Sequence, residues 1–175
     1  MKIACIGGGP GSLYFGILMK KAYPGAEIKI YDREVKGQTF GWGVVFSDKT
    51  MDGFEGEDPA TVAAINAAFS YWTNIDTFLG GSAEEVGELV TSTGHGFCGM
   101  SRIKLLTILE ERAEQLGVIV EHEVEITDPA SLGDVDLIVA GDGLNSSVRT
   151  RFSEHFQPSF DVRPNHFCWL GTTRP

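Results

Sequence analysis

Cysteine is scarce in this sequence, and its few copies form no recognisable pattern. Cys5, Cys98 and Cys168 lie far apart in a chain of 175 residues, and no Cys-x-x-Cys pair occurs. An odd count without metal-ligand spacing argues against a disulfide framework or a zinc site and favours reduced thiols in a cytoplasmic protein. We expect the cysteines to serve as small core residues, and the sequence predicts no metal centre.

Long apolar runs and an excess of positive charge are also missing. No apolar stretch approaches the roughly 18 residues that a membrane helix needs, and the first residues lack the apolar core of a signal peptide. Lys and Arg number 14 against 24 Asp and Glu, which makes the formal net charge −10. Such a surface repels nucleic acid. We therefore expect a globular cytoplasmic protein that binds neither nucleic acid nor membrane.

Glycine, in contrast, is abundant, with 22 copies, and its most informative cluster lies near the N-terminus. An apolar strand at residues 2–6 is followed by Gly7, Gly9 and Ser12, which match the Gly-x-Gly-x-x-Gly fingerprint with serine in the third position, and Gly11 is a further candidate cofactor contact in the same loop. The first glycine permits a tight turn, the second lets the backbone approach a pyrophosphate, and a small third residue allows close helix–strand packing. The following helix would direct its N–H groups and dipole at the phosphates.

The residues after this loop support the same interpretation. An apolar helix ends at Pro24-Gly25, and residues 27–31 alternate as a second strand. Asp32 ends that strand about 20 residues past the loop, where a carboxylate accepts hydrogen bonds from ribose hydroxyls. The pattern predicts a βαβ dinucleotide-binding unit of an α/β fold. An ordinary buried strand–turn–helix, with Asp32 as a surface acid, is the alternative.

The middle of the chain carries weaker signals. Residues 34–50 resemble a loop, whereas Asp58-Pro59 is typical of a helix start, with an N-cap followed by proline. Residues 73–99 predict a β excursion with a hairpin at Gly80-Gly81. His95 is the one candidate for a catalytic or ligand-contacting residue, and a merely solvated or hydrogen-bonded loop histidine is the alternative. One apolar stripe at helical spacing is expected in the core: Val62, Ile65, Phe69 and Trp72.

The spacing of apolar residues over 101–116 predicts an amphipathic helix, the clearest in the sequence, and Gly117 would cap it. Arg102 lies in its first turn, where the helix dipole disfavours a cation. An anionic partner such as a phosphate would resolve this conflict, and a simply exposed arginine is the alternative. The expected core face comprises Ile103, Leu106, Leu109, Ala113 and Leu116, and the expected solvent face comprises Glu110, Glu111 and Glu114.

A second glycine-rich loop follows a second apolar strand. A strand is predicted at residues 118–121. Residues 135–140 are almost continuously apolar, so we expect them to form a strand in the centre of a parallel sheet. The latter strand runs into a polar loop that contains Asp142 and opens a short helix at Arg149. Ligands of open α/β sheets bind outside the carboxyl ends of strands, so both loops are expected to serve one site.

Taken together, the two loops resemble the FAD-dependent aromatic monooxygenases of the p-hydroxybenzoate hydroxylase type. The first loop with Asp32 is similar to their ADP-binding motif for FAD, and residues 136–149 are similar to their second motif. The resemblance implies that Asp142 and Arg149 support the FAD pyrophosphate region and the approach of a pyridine nucleotide. It also assigns cofactor contacts to Arg33 and to Arg102, since the family has an arginine near FAD at the start of the middle helix.

Residues 40–48 and 94–99 narrow the resemblance to the salicyloyl-CoA and anthraniloyl-CoA (2-aminobenzoyl-CoA) monooxygenase branch. The implied fold is a glutathione-reductase-type, Rossmann-like FAD-binding domain over residues 1–155, with the β excursion at 73–99. Residues 156–175 would begin the substrate-binding sheet. The third motif of the family would lie beyond residue 175, so the chain is expected to be an N-terminal portion that is inactive alone.

The resemblance implies that the complete enzyme hydroxylates a small aromatic substrate, such as an aromatic CoA thioester, with FAD, NAD(P)H and O2. Two other functions remain open. The chain can be a non-catalytic module that holds ADP-like ligands through Gly7, Gly9 and Asp32. It can also be an NAD-dependent dehydrogenase with a plain Rossmann domain, although such a domain does not call for the second loop.

Overall fold

The computed structural model describes residues 1–81 and 87–168, which form two compact units. The first unit contains residues 1–42 and the described residues from 109 onward, and the second contains residues 43–108 apart from the undescribed gap. The strands are β1 (Lys2–Ile6), β2 (Glu27–Tyr31), β3 (Gly43–Ser47), β4 (Ser70–Trp72), β5 (Ile75–Leu79), β6 (Glu88–Ser92), β7 (Phe97–Ser101), β8 (Ile119–Glu121) and β9 (Leu137–Ala140). The helices are α1 (Pro10–Ala22), α2 (Asp48–Glu55), α3 (Pro59–Asn66), α4 (Arg102–Gln115), α5 (Ser147–Arg151) and α6 (Ser153–Phe156), with a 3-10 turn at Pro129–Leu132.

The first unit is built on a parallel sheet in the order β8-β2-β1-β9. In its centre Cys5 pairs in register with Ile30 of β2 and Val139 of β9. Cys5 and Ile30 are fully buried, and Leu13 and Ile17 of α1 are also buried, which gives the unit an apolar core. The predicted βαβ unit and the Rossmann-like α/β class are therefore confirmed.

Strand β9 does not occupy the predicted central position. Among the described strands it pairs only with β1 and forms an edge of the sheet. Its first residue, Leu137, is 41% exposed. A continuously apolar strand is expected to be buried on both faces of its sheet. Apolarity does not show whether the strand has neighbours on both sides, so the sequence did not reveal that β9 lies at an edge.

Two of the three cysteines occupy the expected core positions. Cys5 and Cys98 are free and fully buried, whereas Cys168 is exposed. Burial raises the pKa of Cys5 to about 11. The prediction of a small core residue is confirmed for the first two and is wrong for Cys168.

The second unit contains two antiparallel sheets, β3-β7-β4 and the hairpin β5-β6. The predicted hairpin excursion is thus confirmed, although residues 82–86 of its connection lie outside the described residues. The predicted loop at 34–50 is wrong in its second half, which contains β3 and the start of α2. Val44, Val45 and Phe46 favour a strand once β7 supplies a hydrogen-bonding partner.

Helix α3 begins as predicted and ends earlier than predicted. Asp58 caps it: its Oδ2 accepts from the backbone N–H of Thr61 at 3.3 Å and from the Thr61 hydroxyl at 2.7 Å. Ile65 is buried, but the helix ends at Asn66, so Phe69 lies outside it and Trp72 belongs to β4. The proposed four-residue stripe is therefore wrong in its second half, because helical spacing alone does not show where a helix stops.

Helix α4 is confirmed, but its two faces differ from the prediction. Ile103, expected in the core, is 49% exposed, whereas Glu110, expected in water, is only 7% exposed. Glu110 lies four residues after Leu106 and three before Ala113, which places it on the buried face. Its charge is paired there with Lys36 and His122.

The described C-terminal segment has little regular structure. Short helices α5 and α6 are followed by residues 157–168, which contain no strand. The predicted first strand of a substrate sheet is therefore not seen up to residue 168, and residues 169–175, including Trp169, lie outside the described part. The domain boundary at residue 155 stays a prediction. No helix within the described residues is long and apolar enough to span a bilayer.

Candidate cofactor site

The two glycine-rich loops meet because their strands are neighbours. The N–H of Gly141 donates to the Ile6 carbonyl at 2.8 Å, and that of Gly7 donates to the Tyr31 carbonyl at 2.8 Å. Gly7 has a φ of +96°, and a Cβ placed on it would lie 2.5 Å from the Gly141 carbonyl oxygen. Only glycine fits this position without displacing backbone.

The N-terminus of α1 opens at this junction without a cap. Gly9 is the N-cap and provides no side chain, Pro10 begins the helix, and the first turn contains no acidic residue. The first N–H groups of a helix have no intrahelical acceptor. Together with the positive end of the helix dipole, they form a favourable environment for a phosphate.

Ser12, which stands where the fingerprint has its third glycine, lies between the helix and the second loop. The residue is 2% exposed, and its Oγ is buried without a hydrogen-bond partner among the described groups. A Cβ placed on Gly141 would collide with that Oγ. In the fingerprint, a third glycine on the helix leaves room for close packing against the strand. Here Gly141, directly after β9, leaves that room instead.

Asp32 is directed at the first loop. Its carboxylate lies so close to Gly8 that any side chain at position 8 would overlap it. The Oδ1 atom accepts from the backbone N–H of Glu34 at 3.2 Å. The acid at the end of β2 is therefore held beside the glycine loop. This is where dinucleotide-binding folds place the carboxylate that accepts hydrogen bonds from ribose hydroxyls.

The second loop is organised by the carboxylate of Asp142. Its Oδ2 accepts from the Ser147 N–H at 2.8 Å, from the Ser147 hydroxyl at 3.1 Å and from the Val148 N–H at 3.3 Å. Burial raises the pKa of Asp142, but the nearby Ser146 hydroxyl and the hydrogen bonds from Val148 and Ser147 outweigh it, so the pKa lies below its ordinary range. The other oxygen, Oδ1, is buried without a partner among the described groups.

Arg149 stabilises the same loop from within. Its backbone N–H donates to the Ser146 hydroxyl at 3.0 Å, and its guanidinium donates to the Leu144 carbonyl. The guanidinium carbon also lies 5.2 Å from the centre of the Phe160 ring, a cation–π distance. Arg149 thus connects the loop to the segment that follows α6.

Two other predicted site residues have less distinctive surroundings. The Arg33 side chain is 68% exposed and pairs with Glu34 at 3.2 Å and Glu125 at 3.9 Å. Gly11 has no atom within 4 Å of a Cβ placed on it, so no close approach requires glycine there. The cofactor contacts predicted for both residues stay predictions.

The remaining two candidates, Arg102 and His95, belong to the second unit. Arg102 opens α4 and is half-buried. His95 is hydrogen-bonded to the Ser92 hydroxyl at 2.6 Å, and its ring packs 5.6 Å from that of Phe97. These contacts favour a structural histidine in a turn. Within residues 1–81 and 87–168, no group of three or more His, Cys, Asp or Glu is placed to hold a metal.

The first unit therefore brings the two glycine-rich loops and Asp32 together. It presents an uncapped helix N-terminus, a carboxylate beside the glycine loop, and two buried oxygens without partners, Ser12 Oγ and Asp142 Oδ1. These groups fit a ligand that carries phosphates and hydroxyls. The sequence analysis did not identify Gly8 and Gly141 as essential to this geometry, since each is required by a side chain distant in the sequence.

Comparison with known proteins adds sequence relatives. The chain is 42% identical over 173 residues to salicyloyl-CoA 5-hydroxylase of a Streptomyces species, covering 99% of this chain and 32% of that protein. It is 29% identical over 174 residues to 3-hydroxy-4-methyl-anthranilyl-[aryl-carrier protein] 5-monooxygenase of Streptosporangium sibiricum, with 99% and 47% covered. No family model matches the chain.

Solved structures agree on the fold. The chain superimposes on 2-methyl-3-hydroxypyridine-5-carboxylic acid oxygenase with a TM-score of 0.67 at 23% identity, covering 85% of this chain and 41% of that one. For CtdE in complex with FAD and a substrate, the TM-score is 0.66 at 18% identity, with 86% and 40% covered.

The chain therefore has the mixed α/β fold of these solved structures, and its sequence is similar to those of aromatic monooxygenases, which confirms the resemblance drawn from its two loops. It spans between about a third and a half of the length of the curated relatives it matches.

Proposed function

We propose that this chain is the FAD-binding portion of a flavoprotein monooxygenase. The whole protein would hydroxylate an aromatic acyl group carried by CoA, with NAD(P)H and O2 as co-substrates. Overall, NAD(P)H supplies two electrons, one oxygen atom enters the aromatic ring as a hydroxyl group and the other leaves as water.

The observation that carries the proposal is the junction of the two loops. Ser12 Oγ and Asp142 Oδ1 are buried there without partners, beside an uncapped helix N-terminus. The first N–H groups of α1 have no intrahelical acceptor, so a phosphate placed there supplies one and is favoured by the helix dipole. The relative that acts on salicyloyl-CoA and the FAD bound in CtdE suggest the substrate class and the cofactor.

The residues of this chain would bind and orient the cofactor. FAD, when bound, supplies the redox and oxygen chemistry that side chains lack. The first turn of α1 would accept the pyrophosphate, and Asp32 would accept hydrogen bonds from the ribose of the ADP half. Asp142 would hold the second loop in place, and Arg149 would keep it closed over the strand ends.

The first experiment is a visible absorption spectrum of the purified chain, before and after addition of FAD, with the released nucleotide identified after denaturation. We expect flavin absorbance near one equivalent per chain. If the chain takes up no flavin, a longer version that matches the relatives in length should be tested. Failure of both to bind flavin would refute the proposal.

Site variants test which residues form the pocket. We expect Asp32→Ala and Arg149→Ala each to weaken FAD binding by roughly tenfold, which corresponds to about 1.4 kcal/mol. Asp134→Ala and Arg151→Ala are matched controls, because both side chains are exposed and belong to surface ion pairs. If both site variants bind FAD as the wild type does, the site assignment is wrong.

A non-catalytic nucleotide-binding module is the second candidate. The observation that favours it is that both loops and Asp32 belong to the first unit. Such a module would need only the ADP half of the ligand. Isothermal titration with ADP and with FAD separates the two functions. Equal affinities would favour the module, whereas a clear preference for FAD would favour the flavoprotein.

A further inference from the structure

Glu110 is an unusual residue for the buried face of a helix. Its side chain is 9% exposed, and Leu109 and Ala113 beside it on α4 are buried. Burying a carboxylate is strongly unfavourable unless other groups compensate its charge and hydrogen-bonding capacity. The Oε1 atom meets this need with two partners, Lys36 Nζ at 2.8 Å and His122 Nε2 at 2.8 Å.

The three members of this cluster come from three separate segments. Lys36 belongs to the segment after β2, Glu110 to α4, and His122 directly follows β8. Lys36 also reaches Glu114 Oε1 at 3.1 Å. The other ring nitrogen of His122, Nδ1, is buried without a partner among the described groups, so Glu110 is the partner that orients the ring.

The segments joined by the cluster are the same ones that hold Asp32. The N–H of Asp32 donates to the Glu121 carbonyl at 2.8 Å, and the N–H of Val124 donates to the Asp32 carbonyl at 2.9 Å. The N–H of Glu123 donates to the Glu34 carbonyl at 3.2 Å. Three backbone hydrogen bonds therefore join residues 32–34 to residues 121–124, and Asp32 lies beside the glycine loop within these paired segments.

The charge of Glu110 is compensated within this cluster by Lys36 and His122. Burial raises the pKa of Glu110, but hydrogen bonds and charges from Lys36 and His122 outweigh it and hold the pKa below its ordinary range. Glu110 is therefore ionised at neutral pH and accepts from both partners. A neutral glutamine at the same position would keep an acceptor oxygen but lose the attraction for Lys36.

We propose that Glu110 is a positioning residue for the cofactor site: through Lys36 and His122 it holds residues 32–36 and 121–124 so that Asp32 meets the ligand ribose. This inference rests on the proposed function, because it requires that Asp32 contact a nucleotide. It adds to that function a residue, Glu110, that lies outside both glycine-rich loops.

The test is a double-mutant cycle on nucleotide affinity, with ADP and FAD as probes. Glu110→Ala should weaken ADP binding on the order of tenfold in the wild-type background and leave it nearly unchanged in the Asp32→Ala background. A residue that only stabilised the fold would lower the melting temperature without this dependence on Asp32. Glu111→Ala is the matched control, because it removes an exposed acid from the same helix and leaves Lys36, Glu114 and His122 in place.

The outcomes separate the two hypotheses. If neither the chain nor the longer version that matches the relatives in length binds ADP or FAD, the proposed function fails. If either version binds them and Glu110→Ala weakens binding equally in both backgrounds, or not at all, the positioning role is refuted. Should Glu110→Ala fail to fold, Glu110→Gln takes its place, with hydrogen exchange of the Val124 amide as a second readout. Faster exchange supports the positioning role, and unchanged exchange with unchanged affinity contradicts it.

Discussion

The two glycine-rich loops lie at the ends of adjacent strands, yet different forces shape them. In the first loop, Gly7 lies against the Gly141 carbonyl, so its shape depends on the absence of a side chain. In the second loop, Asp142 accepts three hydrogen bonds and Arg149 donates to the Leu144 carbonyl. The first loop depends on close contacts that leave no room for a side chain, and the second depends on a network of hydrogen bonds.

This difference predicts how each loop responds to mutation. A steric requirement fails abruptly, because a displaced backbone has no low-energy alternative. A polar network weakens in steps, since each hydrogen bond contributes roughly 0.5–1.5 kcal/mol and water replaces part of what is lost. The following predictions test the contrast, beginning with the largest expected effect.

Gly7→Ala should be the most damaging single change. Alanine at a φ of +96° is strained, and its Cβ would lie 2.5 Å from the Gly141 carbonyl oxygen. We expect a loss of about 3 kcal/mol or more in the free energy of unfolding, measured by urea denaturation. Gly11→Ala is the control and should be neutral or slightly stabilising, because a Cβ there meets no atom within 4 Å. Equal effects of the two substitutions would contradict the steric account.

Gly141→Ala should cost about 2 kcal/mol, because the new methyl group collides with Ser12 Oγ. Ser12→Ala alone should be nearly neutral, since the hydroxyl it removes is buried without a partner. The double variant should recover at least about 1 kcal/mol of the loss, because the next nearest atoms to the new methyl group are at least 3.4 Å away. Purely additive unfolding free energies would show that the two positions do not share this space.

Asp142→Ala should cost about 2 kcal/mol, since it removes the acceptor of three hydrogen bonds. The pKa of Asp142 lies below its ordinary value, so its ionised form stabilises the folded chain. That contribution is present above about pH 3.9 and is lost as the pH falls through the lowered pKa. Unfolding free energies of the wild type and Asp142→Asn should therefore converge in acid. A gap independent of pH would contradict this role.

Arg149→Lys should have the smallest effect, about 1 kcal/mol. Lysine keeps the charge but loses the planar group that donates to the Leu144 carbonyl and stacks on Phe160. Arg151→Lys, on the same short helix, is the control and should change stability by less than about 0.5 kcal/mol. Thermal denaturation at matched pH measures both. A loss no larger for Arg149→Lys than for the control would contradict a specific role of the Arg149 guanidinium.

Local patterns were sufficient for much of this architecture. The order of strand, glycine loop, helix, strand and Asp32 is encoded by residues close in sequence, and so is the cap that Asp58 provides for α3. Turn chemistry, capping and the period of apolar residues act over a few positions, and each predicted the observed element. The second loop was recognisable for the same reason, since its acceptor Asp142 and its donors lie within six residues.

The errors share a different cause. Glu110 appeared to belong to a solvated acidic face because its partners are distant in the sequence, Lys36 by 74 positions and His122 by 12. Trp72 appeared to continue a helix because the pairing of β4 with β7 is not a local signal. In both cases a long-range contact changed the environment that local periodicity predicts.

The sequence by itself determined the βαβ unit, its two glycine-rich loops and the residue types that a dinucleotide requires, because these depend on backbone conformation and short-range spacing. Only the tertiary structure decided that Gly141 makes room for Ser12, that Asp32 lies against Gly8, and that Glu110 is buried with its partners. The physical reason is that close packing and charge pairing depend on which atoms meet in space, and those meetings exist only after the strands have paired.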